Sequence, residues 1–346
     1  MRAARFYAAK EPLRIEEVEA SPPGQGEVSV AVEACGICGT DLHIAIEGTI
    51  QLPKTPIVLG HEAAGVVAAV GAGVTRWKAG DRVTIFPNVA CGRCSACRRG
   101  REVLCPQAQV LGINREGAFA ESITLPASCL LRLPAEVPFP VGAIVADAVS
   151  TAYRAIAHRG ALRTGESVAV FGCGGLGIHG IKLAKLLGAG EIIGVDVAQG
   201  ALRRAEEAGA THVVDASGGE AAKQIRALTA GEGVDLAVEF VGLKAPVTEA
   251  MRSLRRGGRA VIAGVGGDRV ELPPLRSFVG GELAVLASMG FDREEVETVI
   301  RLVAEGTLDL SSSVTDVIPL DAINEGFRRA FTKEGDPIRI VVRPGG

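Results

Sequence analysis

Residues 167–189 read SVAVFGCGGLGIHGIKLAKLLGA. Ser167–Phe171 is short, apolar and rich in valine, the texture of a parallel strand covered on both faces. It runs into Gly172-Cys173-Gly174-Gly175-Leu176-Gly177 and then into a segment whose apolar residues fit one face of a helix. A glycine loop between strand and helix is the setting in which G-x-G-x-x-G binds a dinucleotide. Gly172 permits the tight turn, Gly174 lets the backbone approach a pyrophosphate, and Gly177 lets the helix pack close to the strand. Gly175 and Leu176 complete the loop, and the helix N-terminus offers N–H groups and a positive dipole end to phosphates. A second strand, 191–195, ends at Asp196, nineteen residues past Gly177. A carboxylate there accepts hydrogen bonds from ribose hydroxyls and repels a 2′-phosphate, so NAD is expected in preference to NADP. A glycine-rich turn with no ligand is the plain alternative.

Outward from this motif the pattern alternates. Helices are predicted at 201–208, 220–228 and 245–254, with strands at His212–Asp215, 234–241, 259–265 and 283–288. Strands alternating with helices imply a doubly wound parallel sheet. Before about residue 147 the texture changes to short alternating strands (27–33, 65–70, 81–86) between Gly/Pro turns, as in an antiparallel barrel. A C-terminal helix near 321–331 and a strand at 338–342 do not extend the doubly wound pattern. The expected organisation is therefore α/β, with domains at 1–147 and 148–289 and a return of 290–346 to the first.

The composition narrows the function. Of 346 residues, 37 are basic and 40 acidic, a net charge of −3, and 4% are aromatic. Neither a basic stripe nor a stacking platform for bases is present, which argues against a nucleic-acid partner. No run reaches the ~20 apolar residues that span a bilayer, and the N-terminal MRAARFYAAKEPLRIEE lacks a signal peptide's apolar stretch. The expectation is a soluble cytoplasmic protein with no membrane partner. There, clustered cysteines point to metal or catalysis rather than to disulfides.

Cys91, Cys94, Cys97 and Cys105 lie in CGRCSACRRGREVLC. Two-residue gaps let a loop curl neighbouring sulfurs onto one ion, and four thiolates close a tetrahedral structural zinc site. Arg93, Arg98, Arg99 and Arg101 are expected to offset the charge of such a site. An iron–sulfur cluster uses other spacings in its common runs, and four unligated thiols would be unusually reactive.

A different constellation lies upstream. AVEACGICGTDLHI carries Cys35, Cys38, Thr40, Asp41 and His43, and PIVLGHEAAGVV carries His61 and Glu62. Zinc that does chemistry takes three mixed protein ligands and keeps a fourth position open. Cys38 and His61 are the natural first two, and local spacing does not identify the third. Asp41 is expected to support them by hydrogen bonding. Cys35, Cys129 and Cys173 read as small buried residues, and His158, His179 and His212 as surface or packing residues.

Together, GICGTDLH, GHE, the four-cysteine loop and GCGGLG with Asp196 resemble the zinc-dependent medium-chain alcohol dehydrogenases along essentially the whole chain. The resemblance implies a GroES-like β-barrel catalytic domain, a Rossmann domain and an active site in the cleft between them. It implies Cys38 and His61 as ligands of a catalytic zinc, with Glu62 approaching the metal. The third family ligand aligns with Asp147 in IVADAVSTAYRA, where the best-known liver-type enzymes have cysteine. Zinc accepts that carboxylate readily. A helix-start cap is the plain alternative for Asp147. The family's proton relay corresponds to Thr40 and His43. Thr151 matches a residue beside the nicotinamide, and Arg339 matches an arginine that approaches the pyrophosphate, the alternative being a solvated strand charge.

The same resemblance implies two zinc ions per chain, one catalytic and one structural, and hydride transfer between an alcohol and NAD. Secondary or medium-sized alcohols are favoured. The alternatives are an enzyme dedicated to one intermediate (a polyol, a cyclic hydroxyacyl thioester or formaldehyde) and a nucleotide-binding relative without chemistry. Ile44, Glu47, Ile50, Pro87, Leu111 and Met289 are candidate pocket residues, with Glu47 read chiefly as a solvated loop charge. Relatives pair Rossmann sheets edge to edge, so a homodimer or homotetramer is expected, with 283–288 a suitable edge.

Overall fold

A computed structural model of the chain describes residues 1–345. Two compact units emerge: Met1–Ala148 together with the chain from Asp292 onward, and Val149–Phe291. A helical run over 139–159 carries the chain from one to the other.

The second unit is built on six parallel strands, β1 (Ser167–Phe171), β2 (Glu191–Asp196), β3 (His212–Asp215), β4 (Val234–Glu239), β5 (Leu254–Ile262) and β6 (Ala284–Ala287). Their spatial order is β3-β2-β1-β4-β5-β6. The order reverses at β1, so the crevice beyond its carboxyl end is the place where doubly wound sheets bind nucleotides. Ala169, Phe171, Ile193, Val195 and Ala237 belong to its buried core. The helix after the glycine loop, α1, spans Gly177–Leu186. β5 begins five residues before its expected start, with a register irregularity opposite Val234–Leu236. A helix at Leu275–Gly280 was not expected: it follows two prolines and buries none of its residues, so no amphipathic pattern marks it. β6 is an edge strand.

The first unit centres on the long strand Glu27–Gly36. Glu62–Val70 pairs along one side of it, while Ser122–Pro126 and then Ile340–Arg343 share the other, all antiparallel. Val341 and Val342 thus sit beside Gly36 and Cys35, which brings the C-terminal segment back to the first unit's sheet. Two bulges interrupt the pairing with Glu62–Val70 between Ser29 and Ala34. Bulges bend a strand and re-aim its side chains, here just before Cys35 to Cys38. No described helix is long and apolar enough to cross a membrane.

Candidate functional site

Gly39–Leu42 forms one helical turn whose N-cap is Cys38, and the Cys38 N–H donates to Asp41 Oδ2 at 2.9 Å. That capping box fixes where the Cys38 sulfur stands. Asp41 Oδ1 accepts from the Gly60 N–H at 3.3 Å and lies 3.7 Å from His61 Nδ1. One fully buried carboxylate therefore ties the two backbone segments together through the Cys38 and Gly60 N–H groups, the support expected of it, while it stands beside the imidazole without hydrogen-bonding to it. Gly60 takes φ +93°, and a Cβ there would meet Cys35 Sγ at 2.8 Å, so only glycine lets His61 turn in.

Asp147 comes from a π-helical stretch, Val145–Val149, in the middle of the 139–159 run. The helix-start cap considered for it is thereby overturned, because the helix begins at Phe139. Its Oδ2 lies 3.2 Å from Cys38 Sγ and 3.7 Å from His61 Nε2. The three donor atoms all fall within 4.8 Å of one another. A tetrahedral zinc shell with Zn–S of about 2.3 Å and Zn–N/O of about 2.1 Å has donor–donor edges of about 3.4–3.8 Å. The trio fits that size.

The electrostatics of the cluster suit a cation. Burial opposes charge on His61, yet Asp41, Asp147 and Cys38 raise its pKa well above the usual value. Burial pushes the Cys38 thiol up, with Asp147 and Glu62 adding to it. Asp147 is also penalised by burial, but hydrogen bonding with His61 holds it below the ordinary range. Burial raises Glu62 to about 8 against the pull of Arg339. A divalent ion among these groups offsets what a proton on His61 otherwise must.

Glu62 and Arg339 supply a finding that the sequence did not announce. Arg339 is 5% exposed, its Nη2 lies 3.2 Å from Glu62 Oε1, and its Nη1 donates to the Ile37 carbonyl at 3.0 Å. The solvated strand charge considered for Arg339 is wrong, and its ionic partner within the chain is Glu62. Gly36 makes the room, since a Cβ there would stand 2.2 Å from Glu62 Oε2.

Thr40 Oγ1 is 3.9 Å from Cys38 Sγ. His43 is half-exposed, with Nδ1 2.7 Å from Glu47 Oε2. Glu47 is solvent-exposed, as expected of a loop charge, and in addition pairs with His43. Ile44 and Leu111 are fully buried in the first unit's core.

Cys91, Cys94, Cys97 and Cys105 also gather within 4.8 Å, with Sγ–Sγ distances of 3.4 Å for Cys94–Cys97 and 3.9 Å for Cys91–Cys97. These bracket the ~3.8 Å edge of a zinc tetrathiolate. Of the loop's arginines, Arg98 bonds the Arg93 carbonyl and Arg101 pairs with Asp292. Backbone N–H groups donate to the sulfurs, from Cys91 to Cys105 Sγ and from Cys97 to Cys94 Sγ, both at 3.5 Å. Backbone hydrogen bonds from Arg93 and Cys94 bring Cys91 down to about 6. Cys35, Cys129 and Cys173 are buried, as is His179 within α1.

In the second unit three glycines of the loop show their reason. Gly172 has φ +86°, a Cβ on Gly177 would meet the Gly172 carbonyl at 1.8 Å, and a Cβ on Gly174 would meet nothing within 4 Å. Two glycines are thus imposed by the fold, while Gly174 faces open space where a ligand's phosphates can approach. Asp196 ends β2 and accepts from the N–H groups of Cys173, Val197 and Ala198 at 2.7, 2.8 and 2.9 Å. Thr151 is buried in the helix Ser150–Tyr153.

Comparison with known proteins agrees with this geometry. Residues 24–135 match the alcohol dehydrogenase GroES-like domain, and 175–305 match the zinc-binding dehydrogenase domain. The chain is 33% identical to a sorbitol dehydrogenase of Bacillus subtilis, over 99% of this chain and 97% of that one. It is 35% identical to an alcohol dehydrogenase of Geobacillus stearothermophilus, over 95% and 96%. The solved alcohol dehydrogenase of the archaeon Aeropyrum pernix superposes with a TM-score of 0.90 at 34% identity, covering 99% of this chain and 100% of that one. The chain belongs to the zinc-dependent medium-chain dehydrogenases, enzymes of the oxidoreductase class with a GroES-like and a Rossmann domain.

Proposed function

We propose that this enzyme transfers a hydride between an alcohol and NAD, secondary or medium-sized alcohols being favoured, and carries two zinc ions per chain. The observation that carries the reading is the convergence of Cys38 Sγ, His61 Nε2 and Asp147 Oδ2 within 4.8 Å in the first unit. Three mixed ligands leave a fourth position for the substrate, whereas the four-cysteine site is closed and structural. Bound zinc supplies Lewis acidity that lowers the pKa of an alcohol O–H, and NAD supplies the hydride acceptor.

The chain's own residues do the rest. Thr40 takes the hydroxyl proton towards His43, whose half-exposed ring exchanges it with solvent. Asp41 holds the segment that carries His61, and Arg339 balances Glu62. In this reading residues 1–147 and 290–346 form the catalytic domain and 148–289 the coenzyme domain. There Gly172, Gly174, Gly175, Leu176 and Gly177 cradle the pyrophosphate, Asp196 selects NAD, and Thr151 lies beside the nicotinamide. Arg339 reaches the pyrophosphate only in addition to Glu62. The edge position of β6 supports a homodimer or homotetramer. Formation of NADH across primary, secondary, cyclic and polyol alcohols, before and after chelation, tests the proposal. Chelator-sensitive turnover supports it, and the best substrate separates a general enzyme from one dedicated to a single intermediate. Binding of zinc and NAD without turnover on any alcohol counts against it.

A further inference from the structure

We propose that Glu47 is a positioning residue for the proton exit, fixing which nitrogen of His43 takes the proton. This inference rests on the relay reading of Thr40 and His43.

His43–Glu47 is a π-helical turn rather than an α-helical one. Its closing hydrogen bond runs from the Gly48 N–H back to the His43 carbonyl, which also accepts from the Thr49 N–H at 3.0 Å. Ile44 and Ala45 anchor the turn in the core, and Gly48 ends it at φ +70°. π-turns are uncommon insertions that cluster at functional sites. The anchoring leaves His43 and Glu47 on the outer side, half-exposed, with Nδ1 and Oε2 2.7 Å apart.

A carboxylate only accepts, so Nδ1 carries the hydrogen and donates it. The other ring nitrogen, Nε2, is then the basic one, because the partner of one nitrogen sets the tautomer of the other. The step balances simply: the proton that leaves the alcohol oxygen and is handed on from Thr40 is taken at Nε2, the ring becomes an imidazolium with Nδ1–H still held on Glu47, and Nε2 then releases the proton to water. Nδ1 keeps its hydrogen throughout. Without Glu47 the ring can take the other tautomer or rotate away, and the relay meets an N–H where it needs a lone pair.

The test is single-turnover alcohol oxidation by the zinc-loaded enzyme, with proton release read by an indicator dye beside NADH absorbance. The variants are Glu47→Ala, Glu47→Gln, His43→Ala and the double His43→Ala/Glu47→Ala. His43→Ala should slow proton release about a hundredfold, the lower range for a lost acid–base group, and Glu47→Ala about tenfold. Glu47→Gln, whose side-chain carbonyl still accepts from Nδ1–H, should stay within about threefold of wild type. The double variant should be no slower than His43→Ala, since Glu47 acts only through the ring. KM for the alcohol and the melting temperature should not move. A wild-type rate for Glu47→Ala beside a slowed His43→Ala, a glutamine as slow as alanine, or independent effects in the double variant would each overturn the inference. A wild-type rate for His43→Ala would overturn the relay reading and this inference with it.

Discussion

At pH 9, above the value of about 8 to which burial raises Glu62, replacing Arg339 by methionine leaves Glu62 as a buried carboxylate without its counter-charge. Both groups are shielded, at 5% and 0% exposure, and 3.2 Å separates their charged atoms. At an effective dielectric of about 20 the attraction is about 5 kcal/mol. That agrees with the 3–5 kcal/mol typically lost when one partner of a buried pair is removed. For a unit of about 200 residues, each kcal/mol shifts the melting temperature by about 2–4 °C, so Arg339→Met should melt about 6–20 °C lower. The double variant Arg339→Met/Glu62→Gln should recover most of that loss, because no charge is left stranded. Calorimetry or dichroism on zinc-loaded protein measures it. Melting of Arg339→Met within about 2 °C of wild type would refute the reasoning, as would a double variant no better than the single. A raised KM for NAD with an unchanged melting temperature would instead return Arg339 to the pyrophosphate.

Cys97→Ser should lower the zinc content by one ion per chain while the Cys38 site keeps its own, and it should open the 91–105 lobe to protease; metal analysis and limited proteolysis read both. The glycines of the loop should separate cleanly. Gly174→Ala should keep the wild-type melting temperature and weaken NAD about tenfold or more in a titration, because its Cβ occupies only the ligand's space, whereas Gly177→Ala should destabilise the fold itself. Burial penalises Glu166, but the Arg259 hydrogen bonds win and hold it below its ordinary 4.5. A depressed carboxylate contributes stability above its unfolded pKa and loses it as pH falls through the folded value. Acid unfolding followed by dichroism below about pH 4.5 should therefore be less steep in Glu166→Gln.

The parts of the site legible in the sequence are those whose chemistry is encoded in local spacing. Four cysteines in fifteen residues can curl onto one ion, and they do. The strand–loop–helix around Gly172 and Gly177 was legible because each glycine answers a steric need that no other residue meets. Asp147 was different: nothing in its neighbours marks a ligand, and only the family resemblance pointed to it. Its placement depends on a π-turn, which leaves no simple periodicity. The His43–Glu47 contact hid for the same reason. Arg339 and Glu62 lie in distant segments joined by the pairing of Ile340–Arg343 with Glu27–Gly36, a register that local pattern does not reveal. The contacts of the cysteine lobe were not legible either, because charge count says nothing of direction: Arg98 bonds a carbonyl and Arg101 pairs with Asp292, while backbone N–H groups donate to the sulfurs.

The central claim is that Cys38, His61 and Asp147 hold the zinc on which alcohol oxidation depends. Zinc per chain and NADH formation, measured on the same preparations of wild type and Asp147→Ala, test it most directly. The account predicts two zinc ions and alcohol-dependent NADH formation in the wild type. In the variant it predicts one ion, still held by the cysteine lobe, and a rate at least about a hundredfold lower. An Asp147→Ala enzyme that keeps both its second zinc and its turnover would contradict it.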